Sequence, residues 1–116
     1  MNKSLAMLRN GFQSSSGLTP EFKSFASTFR SEFYKELKNI GATNVEFNIG
    51  HFYISGFFDV KDKTYYFSLS DVRSFLENDV HFGGLLYRTA KNHKDYTGGV
   101  NCYVKIQPGM TKKMYI

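Results

Sequence analysis

The apolar residues of this 116-residue chain change their spacing once, near residue 44, and this change constrains the fold more than any other feature. Before that point they recur at steps of three and four residues, which places them on one face of a helix. The set includes four phenylalanines and consists of Phe22, Phe25, Ala26, Phe29, Phe33, Leu37 and Ile40. After that point apolar residues alternate with polar ones, as in half-buried strands. An apolar helix face followed by strands predicts an α+β fold in which one long amphipathic helix packs on an antiparallel sheet.

Local signals define both ends of the predicted helix. Thr19 can accept hydrogen bonds from free amide groups, Pro20 suits the first helical position, and Glu21 complements the positive end of the helix dipole. Gly41 ends the helix by taking the left-handed conformation. These signals predict a single helix of about six turns.

The alternating pattern predicts four or five strands. Three strands come first. The residues that share one face of each are Val45, Phe47 and Ile49, then Phe52, Ile54, Gly56, Phe58 and Val60, then Tyr65, Phe67 and Leu69. Gly50 with His51, and Lys61 with Asp62, form the two turns between them. After a short helical turn capped at Ser70, a further strand begins at Leu85. The core face of the last strand is predicted to hold Val100, Cys102, Val104 and Ile106.

The length suits one domain. We expect a short helix and a Ser-rich linker in residues 1–18, one α+β domain in residues 19–108, and a tail in residues 109–116 that either frays or docks through its apolar residues. A single cysteine excludes an internal disulfide, and the sequence lacks both a leader and a run of about 20 apolar residues. We therefore expect a cytoplasmic protein with no membrane contact.

Charge is distributed unevenly along the chain, whose formal net charge is +5. The net charge is +3 over residues 1–43, −3 over residues 44–83 and +5 over residues 84–116. The last third is therefore the part that would meet a negatively charged partner. The same charge also keeps an aromatic-rich protein in solution, and both interpretations stay open.

The most polar segment of that last third is residues 87–99, which combine cations, tyrosines and a glycine pair. Lys and Arg neutralise phosphates and Tyr stacks on unpaired bases, so this mixture suits a single-stranded nucleic acid. It suits a protein interface or an inert solvated loop equally well. Together with two residues of the last strand, the predicted binding residues are Tyr87, Arg88, Lys91, Lys94, Tyr96, Tyr103 and Lys105. Tyr53, Tyr65 and Tyr66 would add aromatic surface on a sheet face that the helix leaves open.

Catalytic and metal-binding patterns are weak in this sequence. His51, His81, His93 and Cys102 are separated by 30, 12 and 9 residues, whereas metal sites favour closer pairs. A nucleophile, base and orienting acid could be drawn from Cys102, His93 and Asp95, but strand alternation places the thiol on the apolar face, where it behaves as a small hydrophobe. We expect no catalytic residue, no metal site and no cofactor.

Two segments of the chain resemble small orphan proteins carried by bacterial phages and conjugative elements. They are residues 52–73, FYISGFFDVKDKTYYFSLSDVR, and residues 86–101, LYRTAKNHKDYTGGVN. The resemblance extends over about residues 20–106 and brings no catalytic residues with it. Proteins of this kind often inhibit host defence, and anti-CRISPR proteins are the best-known class. The resemblance therefore implies a stoichiometric inhibitor of a host nuclease complex, acting in the bacterial cytoplasm.

The charge of the chain modifies this expectation. Many anti-CRISPR proteins imitate DNA by being strongly acidic, and this chain departs from that pattern at +5. If it belongs to that class, we expect contact with the guide RNA or with an acidic surface of a CRISPR effector or other defence complex. The alternative is a nucleic-acid-binding accessory protein for replication, transfer or regulation of the element. A small enzyme that uses Cys102 or a histidine is the third hypothesis.

Overall fold

The computed structural model describes residues 3, 4, 6, 7, 20–50, 53–69 and 84–114, which form one long helix and a five-stranded antiparallel sheet. The elements are helix α1 (Pro20–Asn39), strands β1 (Thr43–Gly50), β2 (Tyr53–Val60), β3 (Lys63–Leu69), β4 (Gly84–Ala90) and β5 (Cys102–Lys105), and a 3-10 helix (Met110–Met114). The strands are adjacent in chain order, so the sheet is a meander with β1 and β5 at its edges. The predicted α+β architecture is confirmed.

Helix α1 begins and ends where the local signals predict. It starts at Pro20 with Glu21 in its first turn, while the predicted cap Thr19 lies outside the described residues. At the other end Gly41 has a φ of 86°, in the left-handed region that glycine adopts without strain. The amide of Ala42 donates to the carbonyl of Leu37 at 2.9 Å and closes the last turn.

One face of the sheet is covered by α1, and we call it the helix-covered face. The fully buried residues of α1 on this face are Phe22, Phe25, Phe29, Phe33 and Leu37. The Phe33 ring meets Phe47 and Phe67 edge-on, at centroid distances of 6.4 and 5.0 Å. Stacking four phenylalanines on strand side chains removes a large apolar area from water, which is the main stabilising contribution of the fold.

Sheet geometry requires one close approach between β1 and β2. The register shifts between Thr43 and Glu46, so β1 carries an extra residue there. A Cβ at Gly56 would lie 1.8 Å from the carbonyl oxygen of Glu46, so only glycine fits opposite the bulge. Directly after β2, Lys61 and Asp62 form the predicted two-residue turn to β3.

The C-terminal tail docks on α1, which is one of the two outcomes that the sequence leaves open. Glu36 of α1 accepts hydrogen bonds from the amides of Gly109 and Thr111 at 3.1 and 3.2 Å. Met110 and Met114 of the 3-10 helix are buried in the core. At the other end of the chain, Ser4 is helical and bonds to Glu32 of α1, one turn before Glu36.

The prediction for the last strand is partly wrong. Val104 and Ile106 are buried as expected, but β5 begins only at Cys102, whose side chain is exposed, and Val100 is 80% exposed. Cys102 is the first residue of β5, and β5 is an edge strand. At this corner of the sheet a side chain on the core face is no longer covered by other residues. The predicted linker, the predicted turn residue His51 and the predicted helical turn after Leu69 lie outside the described residues.

Candidate binding surface

The sheet face opposite α1 is covered by the segment between β4 and β5, residues 91–101, which we call the 91–101 loop. Strand register places four side chains of this face in one row, Glu46, Phe57, Tyr66 and Arg88. The loop folds back over this row, so we call it the loop-covered face. Its centre is therefore not open, as the sequence predicts it to be, although Tyr53 and Tyr103 on the same side of the sheet are exposed.

Arg88 of β4 connects the sheet to the 91–101 loop. Its guanidinium lies 4.5 Å from the ring centroid of Tyr66, within range of a cation–π interaction. Nη2 donates to the carbonyl of Asp95 at 2.7 Å and Nη1 donates to the carbonyl of Thr89 at 3.2 Å. With 4% exposure Arg88 is buried, and a buried cation is tolerated because ring and carbonyl groups replace its water.

The carboxylate of Asp95 organises the loop backbone. It accepts hydrogen bonds from the amides of Lys91, Thr97 and Gly98, at 2.9, 3.1 and 2.9 Å. These amide hydrogen bonds, with a smaller contribution from the charge of Arg88, lower the pKa of Asp95 below its ordinary value. The loop is thus closed on itself by one side chain, in the manner of an Asx turn.

His93 fixes the loop to the far edge of the sheet. Its Nδ1 lies 2.8 Å from Glu46 Oε1 of β1, and its Nε2 lies 2.9 Å from Asp59 Oδ1 of β2. The ring stacks on Phe57 at a centroid distance of 5.3 Å. With a carboxylate at each nitrogen, the doubly protonated imidazolium donates two hydrogen bonds. We call His93, Glu46 and Asp59 the His93 clamp.

The two carboxylates favour the charged ring. Partial burial opposes the positive charge, but the hydrogen bonds and charges of Asp59 and Glu46 outweigh it and raise the pKa of His93 above its ordinary value. Burial likewise opposes the charge on Asp59, but hydrogen bonds from Asn44, His93 and Thr64 lower the pKa of Asp59. The two carboxylates of the clamp therefore favour the charged form of the His93 ring.

Four rings form a second, smaller core under the loop. Phe57 is fully buried although it points away from α1. Its ring lies 5.2 Å from Tyr66 and 5.3 Å from Tyr96, and Tyr66 and Tyr96 lie 5.8 Å apart, edge to face. The fourth ring is His93. A loop with these contacts has one preferred position on the sheet.

Gly99 allows the loop to return to β5. Its φ is 77°, and a Cβ there would lie 2.3 Å from the carbonyl oxygen of Thr89. Any other residue would be both strained and in collision with β4. One member of the glycine pair, Gly99, is thus a point of close contact between the loop and β4.

The seven predicted binding residues fall into two groups. Tyr87 lies on the helix-covered face and is buried in the core, and Arg88 is buried under the loop. The exposed residues are Lys91, Lys94, Tyr96, Tyr103 and Lys105. Tyr103 pairs with Leu86, which shares the face of Arg88, so it lies on the same side of the sheet as the loop. Among the added tyrosines, Tyr65 is buried on the helix-covered face.

Glu46 and Asp59 are absent from the predicted binding residues, although they determine where the loop sits. They lie 47 and 34 residues from His93 in the sequence, and no local pattern connects positions so far apart. Arg88 is assigned to the surface by its charge alone. Its burial depends on Tyr66, which is opposite it only after β3 and β4 have paired.

The hypothetical set of Cys102, His93 and Asp95 is not assembled. Both ring nitrogens of His93 are bonded to Glu46 and Asp59, and Asp95 is bonded to loop amides. The Cys102 thiol donates to the carbonyl of Val100 at 3.6 Å. Within the described residues, no group of three or more His, Cys, Asp or Glu side chains could hold a metal ion.

Comparison with protein-family models, with curated protein sequences and with solved structures finds no match to this chain. In the part of the chain that the structure describes, no helix is long and apolar enough to cross a membrane. Any proposal about function therefore rests on the geometry and chemistry of the 91–101 loop.

Proposed function

We propose that this protein is a non-enzymatic, stoichiometric binding protein that inhibits a host defence nuclease complex, such as a CRISPR effector, and that the 91–101 loop is its contact surface. One observation carries the proposal. The inner side of the loop is fixed by Arg88 and His93, while Lys91 and Lys94 are exposed to solvent. Tyr96 packs on Phe57 under the loop and is still 58% exposed. A loop that is already ordered loses little conformational entropy on binding, so its exposed groups bind at low cost.

The chemistry of the outer side indicates the partner. Two lysines within four positions, beside an exposed tyrosine, favour a negatively charged surface, which in a defence complex is a guide RNA or an acidic protein patch. Residues 86–101 are also the second segment that resembles proteins of phages and conjugative elements. The resemblance and the candidate surface thus concern the same stretch of chain.

Titration of a purified CRISPR effector complex with the protein tests this proposal. We expect target cleavage to stop at one molecule of protein per complex, and the two to elute together from a sizing column. The double variant Lys91→Ala with Lys94→Ala should weaken inhibition at least about tenfold, which is the effect of losing two exposed interface charges.

The matched control removes the same charge elsewhere. Lys112 and Lys113 are exposed on the 3-10 helix, and Lys112→Ala with Lys113→Ala should leave inhibition within about twofold. Equal loss in both double variants would mean that net charge matters and the loop does not. Absence of inhibition and of co-elution with every host effector complex tested would contradict the proposal.

A second candidate is a nucleic-acid-binding accessory protein for replication, transfer or regulation of a mobile element. The observation that favours it is the exposure of two tyrosines on the loop side of the sheet, Tyr96 at 58% and Tyr103 at 64%. Exposed tyrosines near lysines are what single-stranded nucleic acid binds, through stacking worth about 1–3 kcal/mol per base.

Binding to fluorescent single-stranded DNA, RNA and duplex at two salt concentrations tests the second candidate. The second candidate requires affinity that falls steeply with salt, and the double variant at Lys91 and Lys94 should reduce the slope by about one to two. Tyr103→Ala should weaken single-strand binding with the slope unchanged, because stacking releases no counterions. Absence of binding at low salt would exclude this candidate and leave the protein partner.

A further inference from the structure

The two flanks of helix α1 differ in what covers them. On one flank, Glu32 and Glu36 accept hydrogen bonds from Ser4 and from residues 109 and 111, so both ends of the chain dock there. The other flank borders the edge strand β1 and forms an open groove of about 530 Å³. Its lining residues are Ser27, Arg30, Ser31, Tyr34, Val45 and Phe47.

The groove has an apolar floor that is only half covered. Val45 and Phe47 are intermediate in exposure, and Ile49, next on the same side of β1, is 42% exposed. The corresponding residues of β2, Ile54 and Phe58, are completely buried. Partly exposed apolar side chains are typical of an edge strand, and one more strand beside β1 would cover them.

The edge of β1 supplies the hydrogen-bonding groups that such a strand needs. An edge strand directs the N–H and C=O groups of every second residue away from the sheet. The bulge lies between Thr43 and Glu46, so the regular edge is the short stretch from Glu46 to Gly50. An added segment would therefore pair over a few residues and place alternate side chains against α1.

The charges of this flank define the chemistry of the segment. The Arg30 guanidinium lies 5.5 Å above the Phe47 ring, at the mouth of the groove. Helical spacing of seven and eight residues places Lys23 and Lys38 on the same side as Arg30. Among the described residues that line the groove none is acidic, and the Glu46 side chain is turned to the opposite face, toward His93.

We propose that this groove binds an extended acidic peptide segment of a partner protein, which adds to the edge of β1 as a sixth strand with a carboxylate facing Arg30. A second copy of the chain fits less well. Two-fold pairing of β1 with β1 would bring the two Arg30 flanks together, and like charges that face each other at an interface are unfavourable. The groove is a site separate from the 91–101 loop.

An NMR titration with synthetic peptides tests the proposal. The probes are short, capped, linear peptides in which Val or Thr alternates with Glu, and matched peptides with Lys in place of Glu. We expect the Glu peptides to shift the backbone amide signals of Ser31, Val45 and Phe47, and the Lys peptides to shift none of them. Because this titration detects even millimolar affinity, a complete absence of shifts would overturn the proposal.

Three variants define the contact. Arg30→Glu should weaken binding of the Glu peptides at least about tenfold, and Arg30→Lys should retain it within about threefold. Lys91→Glu makes the same charge reversal on the 91–101 loop and should leave peptide binding within about twofold, although it should impair inhibition of a nuclease complex. Failure of the groove and failure of the proposed function are thus separate results.

Peptide backbone methylation tests the strand pairing itself. N-methylation of one alternate set of amides should abolish binding and methylation of the other set should not, because only one set faces β1. Equal tolerance of both sets would overturn the sixth-strand geometry. Two further results would overturn the proposal, because the groove would then already be occupied. One is a dimer in sedimentation experiments whose stability changes in Arg30→Glu. The other is a contact in the groove from another part of the same chain.

Discussion

The two faces of the sheet each bury a phenylalanine completely, but the covers differ. Phe33 of α1 packs on Phe47 and Phe67 of the helix-covered face, where the neighbouring side chains are apolar. Phe57 of the loop-covered face lies beneath His93 and Tyr96. One cover is held by the hydrophobic effect and the other by charges and hydrogen bonds. The helix-covered face should therefore determine whether the chain folds, and the loop-covered face should respond to pH and to a partner.

The largest expected effect comes from the helix-covered face. Phe33→Ala removes a fully buried ring that contacts two others, and it should lower the free energy of unfolding by about 3–5 kcal/mol. Urea denaturation followed by circular dichroism measures this loss. Tyr34→Ala, one residue along on the exposed side of α1, is the control and should change stability by less than about 0.5 kcal/mol. A loss below about 1 kcal/mol for Phe33→Ala would mean that the Phe stripe is not the main core.

The next effect concerns the support of the loop. Arg88→Leu keeps a buried apolar body but removes the hydrogen bonds to the carbonyls of Asp95 and Thr89, and should cost about 2 kcal/mol. Hydrogen exchange at the amides of Thr97 and Gly98 should accelerate more than exchange in α1, since the loss is local. Lys94→Leu removes a charge from the outer side of the same loop and should leave these amides protected. Uniform acceleration over the whole chain would contradict a separate role for the loop.

The His93 clamp should make stability depend on pH in a defined direction. Because the pKa of His93 is raised on folding, its contribution is complete below the ordinary value of 6.5 and is lost as pH rises through the raised folded value. Because the pKa of Asp59 is lowered, its contribution is complete above the ordinary value of 3.8 and is lost as pH falls through the lowered folded value. Both contributions are therefore present together between pH 3.8 and 6.5.

Comparison of the wild type with His93→Gln isolates this effect. The difference in the free energy of unfolding should reach about 1 kcal/mol between those two pH values and should shrink toward alkaline pH. Phe33→Ala should show the same loss at every pH in that range, because no ionisable group is removed. A His93→Gln difference that grows as the solution becomes alkaline would show that the neutral ring, and not the imidazolium, holds the loop.

The same contrast between the faces explains how far the sequence could be interpreted. The Phe stripe of α1, the end of the helix at Gly41 and the turn at Lys61 are local patterns within a few residues, and each is confirmed. The loop-covered face depends on partners that are close only after the sheet has formed, such as His93 with Glu46. Charge alone suggests a solvated segment, so the burial of Arg88 could not be predicted. Local periodicity determines the elements, and long-range polar contacts determine the site.

The smallest expected effect lies where local periodicity fails. Alternation predicts that Cys102 and Val104 are both in the core, but the structure buries Val104 and exposes Cys102 at the start of the edge strand. Cys102→Ser should therefore change the free energy of unfolding by less than about 0.5 kcal/mol, whereas Val104→Ala should cost about 2 kcal/mol. The thiol should also react with a maleimide reagent in the folded protein as fast as an exposed cysteine does. If the thiol is protected from the reagent, or if Cys102→Ser lowers the free energy of unfolding as much as Val104→Ala does, then Cys102 is buried. The helix-covered core would in that case include the first residue of β5.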